Sequence, residues 1–244
     1  MLNYATLDLI ALIIIATGVA LQSLVGIGYG LVAAPLLFLM NPQFIPGPIL
    51  ILGFFLSLLM VLRDRTQVVL RRVQPAILAR IPGAIMGAML LSWVSLPVLQ
   101  IFFGSALLFA VMVSALKLRL KLTPINLFAG GFCSGILGTA TSVGGPPMAL
   151  IYAHQPKSLA RTDLGLFFLV GTPISLVALW LNGELLINHW LLSLKMLPGV
   201  WIGFYLSRYF DHLLNANRTK MLMFSFAGIS GLVLIMKGVQ YIMV

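Results

Sequence analysis

Long apolar runs alternate with short polar segments along this chain, and the runs have the lengths of membrane helices. The first run, Leu7 to Met40, holds 34 residues. As one helix it would rise about 51 Å, against a hydrocarbon core of roughly 30 Å. Gly26-Ile27-Gly28-Tyr29-Gly30 lies inside this run and Pro35 follows. Glycine and proline interrupt helices, so two helical pieces joined by a glycine-rich break are expected. Asn41 to Pro48 is an uncharged, turn-rich loop. Ile49 to Leu62 predicts a crossing, closed by a basic stretch from Arg63 to Arg72. Ala76 to Leu91 and Leu96 to Leu116 predict two more, and Lys117, Arg119 and Lys121 end this half.

The second half repeats the scheme. Ile125 to Leu137 leads into Gly138-Thr139-Ala140-Thr141-Ser142-Val143-Gly144-Gly145-Pro146-Pro147, and Met148 to Tyr152 follows. Lys157 and Arg161 precede Leu164 to Leu181, and a loop with Glu184 precedes Leu191 to Leu206. Arg208, Arg218 and Lys220 come before the last run, Met221 to Met236. A shift of 112 places Gly26 on Gly138, Pro35 on Pro147 and Gly53 on Gly165. Four further residues place Pro82-Gly83 and Gly87 on Pro198-Gly199 and Gly203. An internal duplication is expected, with repeats 1–122 and 123–244 inside one membrane domain. Repeats of this kind mark secondary transporters, whose sites lie where the broken helices of the two halves meet.

Basic loops decide between parallel and inverted halves. If each glycine-broken run crosses once, eight basic residues lie inside and five outside. If each enters and returns, twelve lie inside and only Lys237 outside, Arg80 and Lys195 being left out of both counts. The second arrangement is expected. It makes the chain an all-α polytopic membrane protein of two inverted-topology repeats. Each repeat has one re-entrant or hairpin element plus three transmembrane helices, and both termini face outward.

Composition agrees with a membrane class. Of 244 residues, 61% are apolar and 8% charged, and mean hydropathy is +1.09. Soluble globular, disordered and disulfide-scaffold classes are excluded, and no alternating pattern suggests a barrel. The net charge of +10 sits between the runs, as cytoplasmic loops would place it, and no aromatic-interleaved basic stripe points to nucleic acid. Cys133 is the only cysteine, so neither a disulfide nor a multi-cysteine metal site is expected, and no cofactor is implied. With no Lys or Arg before Arg63, the amino terminus does not read as a cleavable signal peptide. The partners expected are the lipid bilayer and a small anion, in the plasma (inner) membrane of a prokaryote. Oligomeric state is open, a homodimer included.

Non-helical backbone at membrane depth needs protein or a water-filled cavity around it. The two glycine stretches are therefore the candidate site. Free amides at helix N-termini attract anions, and glycine lets backbone approach a ligand closely. The candidates are Gln22, Ser23, Gly26, Gly28, Tyr29 and Gly30 from the first half. Ser134, Gly138, Thr139, Thr141, Ser142, Gly144, Gly145 and Pro146 come from the second. Small residues that merely let helices pack closely are the plainer reading of the isolated glycines. Arg80 and Lys195 each precede a Pro-Gly pair. Each would contact substrate or snorkel to the interface. Asp163 near Arg161 reads as a boundary ion pair, and His154 as interfacial. Ser142 with His154 or His189 raises an intramembrane hydrolase, but no G-x-S-x-G surrounds Ser142, H-E-x-x-H is absent, and paired intramembrane carboxylates are lacking. No enzyme is expected.

The stretches Gly26–Pro35 and Gly138–Pro147, the second with Gly-x6-Gly-Gly-Pro, resemble the sulfite exporter TauE/SafE family, also called the toluene-sulfonate uptake permease family. With the Pro82-Gly83 element, the resemblance covers essentially the whole chain. It implies a membrane transporter of sulfur oxyanions or organosulfonates, sulfite-like. Export is expected separately, because no acidic residue lies in the middle of an apolar run to couple a cation and a negative-inside potential drives an anion outward. An anion or solute channel is the alternative of another class.

Overall fold

The computed structural model describes residues 5–115, 120–210 and 216–243. Lys117, Arg119 and Asp211 lie outside them, and so do the side chains of Arg218 and Lys220. Among the described residues all regular structure is helical. The helices are α1 (Thr6–Val25), α2 (Tyr29–Met40), α3 (Gly47–Arg63), α4 (Leu70–Trp93), α5 (Leu96–Ala115), α6 (Pro124–Thr141), α7 (Gly145–Ile151), α8 (Lys157–Leu181), α9 (Ile187–Phe210) and α10 (Ala216–Met243). Helices α1, α4, α5, α8 and α10 are long and apolar enough to cross a membrane, and α2 and α3 are shorter apolar helices. This is a polytopic membrane protein.

Several helices outrun their apolar cores. Helix α4 starts at Leu70, so Arg71 and Arg72 belong to its first turn, and it runs through Pro75 and Pro82. Helix α8 starts at Lys157, seven residues before the expected Leu164. Charged side chains that pair with one another can continue a helix beyond its apolar stretch. Thr123 caps α6, its hydroxyl accepting from Asn126 N at 3.3 Å, with Pro124 in the first turn.

Both glycine stretches fold back. Gly18 of α1 lies against Tyr29 and Ala33 of α2, and Gly130 of α6 against Pro147, Met148 and Ile151 of α7. Each run is a helical hairpin. The breaks are shorter than the sequence suggested: helix covers everything but Gly26–Gly28 in the first and Ser142–Gly144 in the second. Left-handed caps close α1 at Gly26 (φ 91) and α6 at Ser142 (φ 63). These caps stand 116 residues apart, the same offset as Pro82 and Pro198, so Gly26 is matched by Ser142 rather than Gly138.

The halves interlock. Helix α4 runs parallel to α6, with Gly131 by Ala76 and Gly87 by Ile136 and Thr139. Helix α1 runs parallel to α9, with Gly199 by Leu12 and Gly203 by Ala16. A Cβ on Gly135 would lie 2.9 Å from backbone atoms of Gly83 and Ala84, so α4 and α6 touch main chain to main chain. Helix α3 is antiparallel to α8: Gly165 meets Met60 and Val61, while Leu50 and Ile51 cluster with Ala178 and Leu179. Helix α5 is antiparallel to α10, with Gly231 by Gly104 and Gly238 by Pro97. Exchanging α1–α5 for α6–α10 turns the α4–α6 contact into the α9–α1 contact and maps the α3–α8 and α5–α10 contacts onto themselves.

Candidate functional site

The two hairpin tips meet beside α3, α4 and α8. A Cβ on Gly30 would lie 2.7 Å from the Ser142 carbonyl oxygen, and Gly145 faces Ile27. Between them is a cavity of about 50 Å³. One water needs roughly 10–15 Å³ at the least, so the space has room for a small group. Of the expected site residues, Gln22, Gly28, Tyr29, Gly30, Arg80, Gly138, Ser142, Gly144 and Gly145 line it. The sequence reading missed Ser57, Thr172 and Phe168, which also line it.

Arg80 is the central group. It is the eleventh residue of the 24-residue α4 and only 1% exposed. It lies at the middle of a spanning helix and does not snorkel. Its Nε donates to the Gly171 carbonyl at 2.9 Å, Nη1 to Ser134 Oγ at 3.1 Å and Nη2 to Ser175 Oγ at 3.3 Å. Its guanidinium lies 5.0 Å from the ring centre of Phe167 and 5.6 Å from that of Phe168. A guanidinium has five N–H donors, so two remain after these bonds. Among the described residues the ion pairs are Arg63–Asp64, Arg72–Asp163, Arg161–Asp64 and Lys195–Asp8. Arg80 is in none. A buried cation without a carboxylate carries a large desolvation cost, which a bound anion would offset.

Around it the neutral groups are held in place. Ser134 donates to the Gly144 carbonyl at 2.6 Å, and Thr139 donates to Ser175 Oγ at 2.8 Å. Ser142 donates to the Pro46 carbonyl at 3.0 Å, tying the second tip to the start of α3. Thr141 donates to Leu137 O and accepts from Val143 N, which shapes that tip. Gln22 Oε1 accepts from Tyr29 N at 3.1 Å, which turns its amide nitrogen away from that bond. The first hydrogen bond of α2 runs from Val32 N to Gly28 O. Gly30 and Leu31, both in the cavity wall, thus have amides without an intrahelical acceptor. The Tyr29 hydroxyl is buried with no hydrogen-bond partner.

The remaining expected residues lie elsewhere. Ser23 faces the basic end, accepting from Arg63 Nη1 at 2.9 Å and from Ser207 Oγ at 3.0 Å. Gly26 packs against Arg161, where a Cβ would lie 3.2 Å from its Cα. Pro146 lines a separate apolar groove between α5 and α6. Lys195 Nζ donates to Asp8 Oδ2 at 2.6 Å and joins α9 to α1. It is not among the cavity residues. Asp163 pairs with Arg72 at 2.8 Å and accepts from Tyr152 OH at 3.2 Å, so its partner is not Arg161 and it is wholly buried. His154 is exposed. The described residues hold no group of three or more His, Cys, Asp or Glu arranged to bind a metal.

A family model described as Sulfite exporter TauE/SafE matches residues 10–234 of this chain, and the chain belongs to that family. No curated protein and no solved structure matches it.

Proposed function

We propose that this membrane transporter carries a small anion, a sulfur oxyanion or short organosulfonate of sulfite size, and that export is its direction. One observation carries the reading: Arg80, buried and without a carboxylate, stands in a cavity where two broken hairpins meet. A single fixed cation, two spare guanidinium donors, free amides of α2 and the unpartnered Tyr29 hydroxyl form a set of donors for oxygen ligands. The cavity is small, which favours a compact ion. Among the described residues no acidic one lines it, so a substrate ammonium would meet Arg80 unopposed, and zwitterionic aminosulfonates should be poor ligands.

The architecture we infer is two inverted repeats, 1–122 and 123–244. Supporting it, α3 and α8 are antiparallel, as are α5 and α10, and each hairpin returns along itself. With the basic loops placed inside, the first tip approaches the cytoplasmic end and the second the outer end, in a prokaryotic plasma membrane. Purified protein in liposomes loaded with sulfite should show saturable flux and counterflow, and Arg80→Gln should abolish both. Flux without saturation or counterflow would favour a channel. Undiminished flux by Arg80→Gln would refute the site.

A further inference from the structure

At the basic end of the molecule two arginines, Arg63 and Arg161, contact the Asp64 carboxylate, and a third, Arg208, shares an aromatic ring with Arg63. Asp64, just after α3, receives a fork of two bonds from Arg161, Nε to Oδ2 at 2.9 Å and Nη2 to Oδ1 at 3.2 Å. Arg63 reaches the same carboxylate only at 3.4 Å. Its closer bonds go to the end of α1, to Ser23 Oγ at 2.9 Å and Ser23 O at 3.2 Å. Arg208 forms no ion pair among the described residues and shares the Phe204 ring with Arg63, their guanidinium carbons 5.4 and 5.3 Å from its centre. Arg72, at the same end, is already neutralised by Asp163.

We propose that Arg63, Arg161 and Arg208 form a second anion site, a vestibule in which the Asp64 carboxylate holds the place of an arriving oxyanion. The inference rests on the transport reading, because it supplies that cavity from its cytoplasmic mouth. Among the described residues, three guanidinium groups and one carboxylate leave an excess positive field at a partly exposed mouth, which concentrates anions. A carboxylate seated in an Arg161 fork has the geometry an oxyanion would adopt there.

The vestibule also touches the partition behind it. Ser23, held by Arg63, directly follows Gln22, which lines the cavity. Gly26, in its left-handed cap, rests on the backbone of Arg161. An oxyanion that drew Arg63 from Ser23 would release the tip of the first hairpin, the wall between mouth and cavity.

Equilibrium titration of detergent-purified protein with sulfite tests this independently of transport. The double variant Asp64→Asn/Arg80→Gln removes the tethered carboxylate and silences the cavity, and it should bind one sulfite. Adding Arg161→Ala should weaken that binding at least about tenfold, the worth of a charge-assisted hydrogen bond. Adding Arg208→Ala, at an exposed position, should weaken it severalfold without a folding cost. Adding Lys157→Ala, which removes an exposed charge outside the cluster, should change nothing. No binding by the double variant overturns the proposal, and so does equal weakening by Lys157→Ala and Arg161→Ala. Sulfite flux by the unsubstituted protein, and its loss in Arg80→Gln, tests the underlying transport reading separately.

Discussion

Replacing Arg80 by methionine separates an anion site from a structural arginine. Burying an ionised group costs several kcal/mol even after relaxation. Three hydrogen bonds to the guanidinium return about 1.5–3 kcal/mol each, so the two sums nearly cancel. The substitution leaves few groups stranded. Ser134 keeps its bond to the Gly144 carbonyl, Ser175 still accepts from Thr139, and the Gly171 carbonyl keeps a contact from Ser175 Oγ at 3.4 Å. Methionine fills most of the aliphatic volume against Phe167. The ligand-free variant should therefore match the original within about 2 kcal/mol. Ligand response should differ sharply. At a sulfite concentration 100 times Kd the original protein gains about 2.7 kcal/mol. On the scaling of globular domains of this length, that raises the melting temperature by roughly 5–10 °C. Arg80→Met should lose the part of the rise that the cavity supplies and keep at most the vestibule's share, and Arg80→Lys should retain a reduced cavity share, because a lysine ammonium cannot reproduce the forked geometry. Thermal denaturation in detergent, with and without sulfite, reads both quantities. A ligand-free Arg80→Met that loses more than about 4 kcal/mol, yet keeps the full sulfite response of the original, would make Arg80 structural and refute the argument.

Two other expectations test the architecture and the tips. In a Cys133→Ser background, single cysteines at Asn41 and Asn182 should react with an impermeant thiol reagent from outside the cell. Cysteines at Gln67 and Ser158 should not, and external labelling at Ser158 would restore a parallel arrangement. Gly145→Ala has only Ile27 near its new methyl, at 3.8 Å, so it should fold normally and raise the half-saturation concentration for sulfite by crowding the cavity. Gly144→Ala would bring its methyl to 2.8 Å from Ser134 Oγ and 2.9 Å from Ser134 O. It should lower the melting temperature, and equal stability of the two alanine variants would refute this packing.

Much of this was legible in the residues. Helix-breaking glycines inside runs too long for one crossing located both hairpins, and the tips hold most of the expected cavity residues. What stayed hidden depends on partners distant in sequence. Arg80 and Lys195 look alike beside their Pro-Gly pairs, but Lys195 finds Asp8, 187 positions away, while Arg80 finds only hydroxyls and a carbonyl. The helical starts of α4 and α8 were missed because Arg72 and Asp163 pair across 91 positions. A local signal did exist for the far wall of the site. Gly171, Thr172 and Ser175 interrupt an apolar run at helical spacing, and so do Gly53 and Ser57 in α3. Small polar residues one turn apart inside a span mark a face turned toward polar contacts.

The lone charge also assigns the step at which membrane potential acts. Arg80 is the only charged group in the cavity wall among the described residues, so a cavity holding a monoanion is electrically neutral and an empty one carries a positive charge. A full charge crossing the membrane field gains about 2.3 kcal/mol per 100 mV, and Arg80 gains the fraction of the field it traverses. A negative-inside potential therefore favours the empty cavity opening toward the cytoplasm, where it loads, and leaves the loaded form free to turn either way. On the proposed reading, export would need no coupling cation. Net sulfite efflux from liposomes under a potassium-valinomycin potential, at constant pH and without sodium, should accelerate as the interior becomes negative. Counterflow on the acid side of neutrality, where the ion is the monoanion hydrogensulfite, uses only the loaded form and should ignore the potential. Counterflow that tracks the potential would mean that the loaded cavity is charged. Net efflux that ignores it but demands a proton gradient would move the coupling to another group, the exposed His154 being the first to substitute.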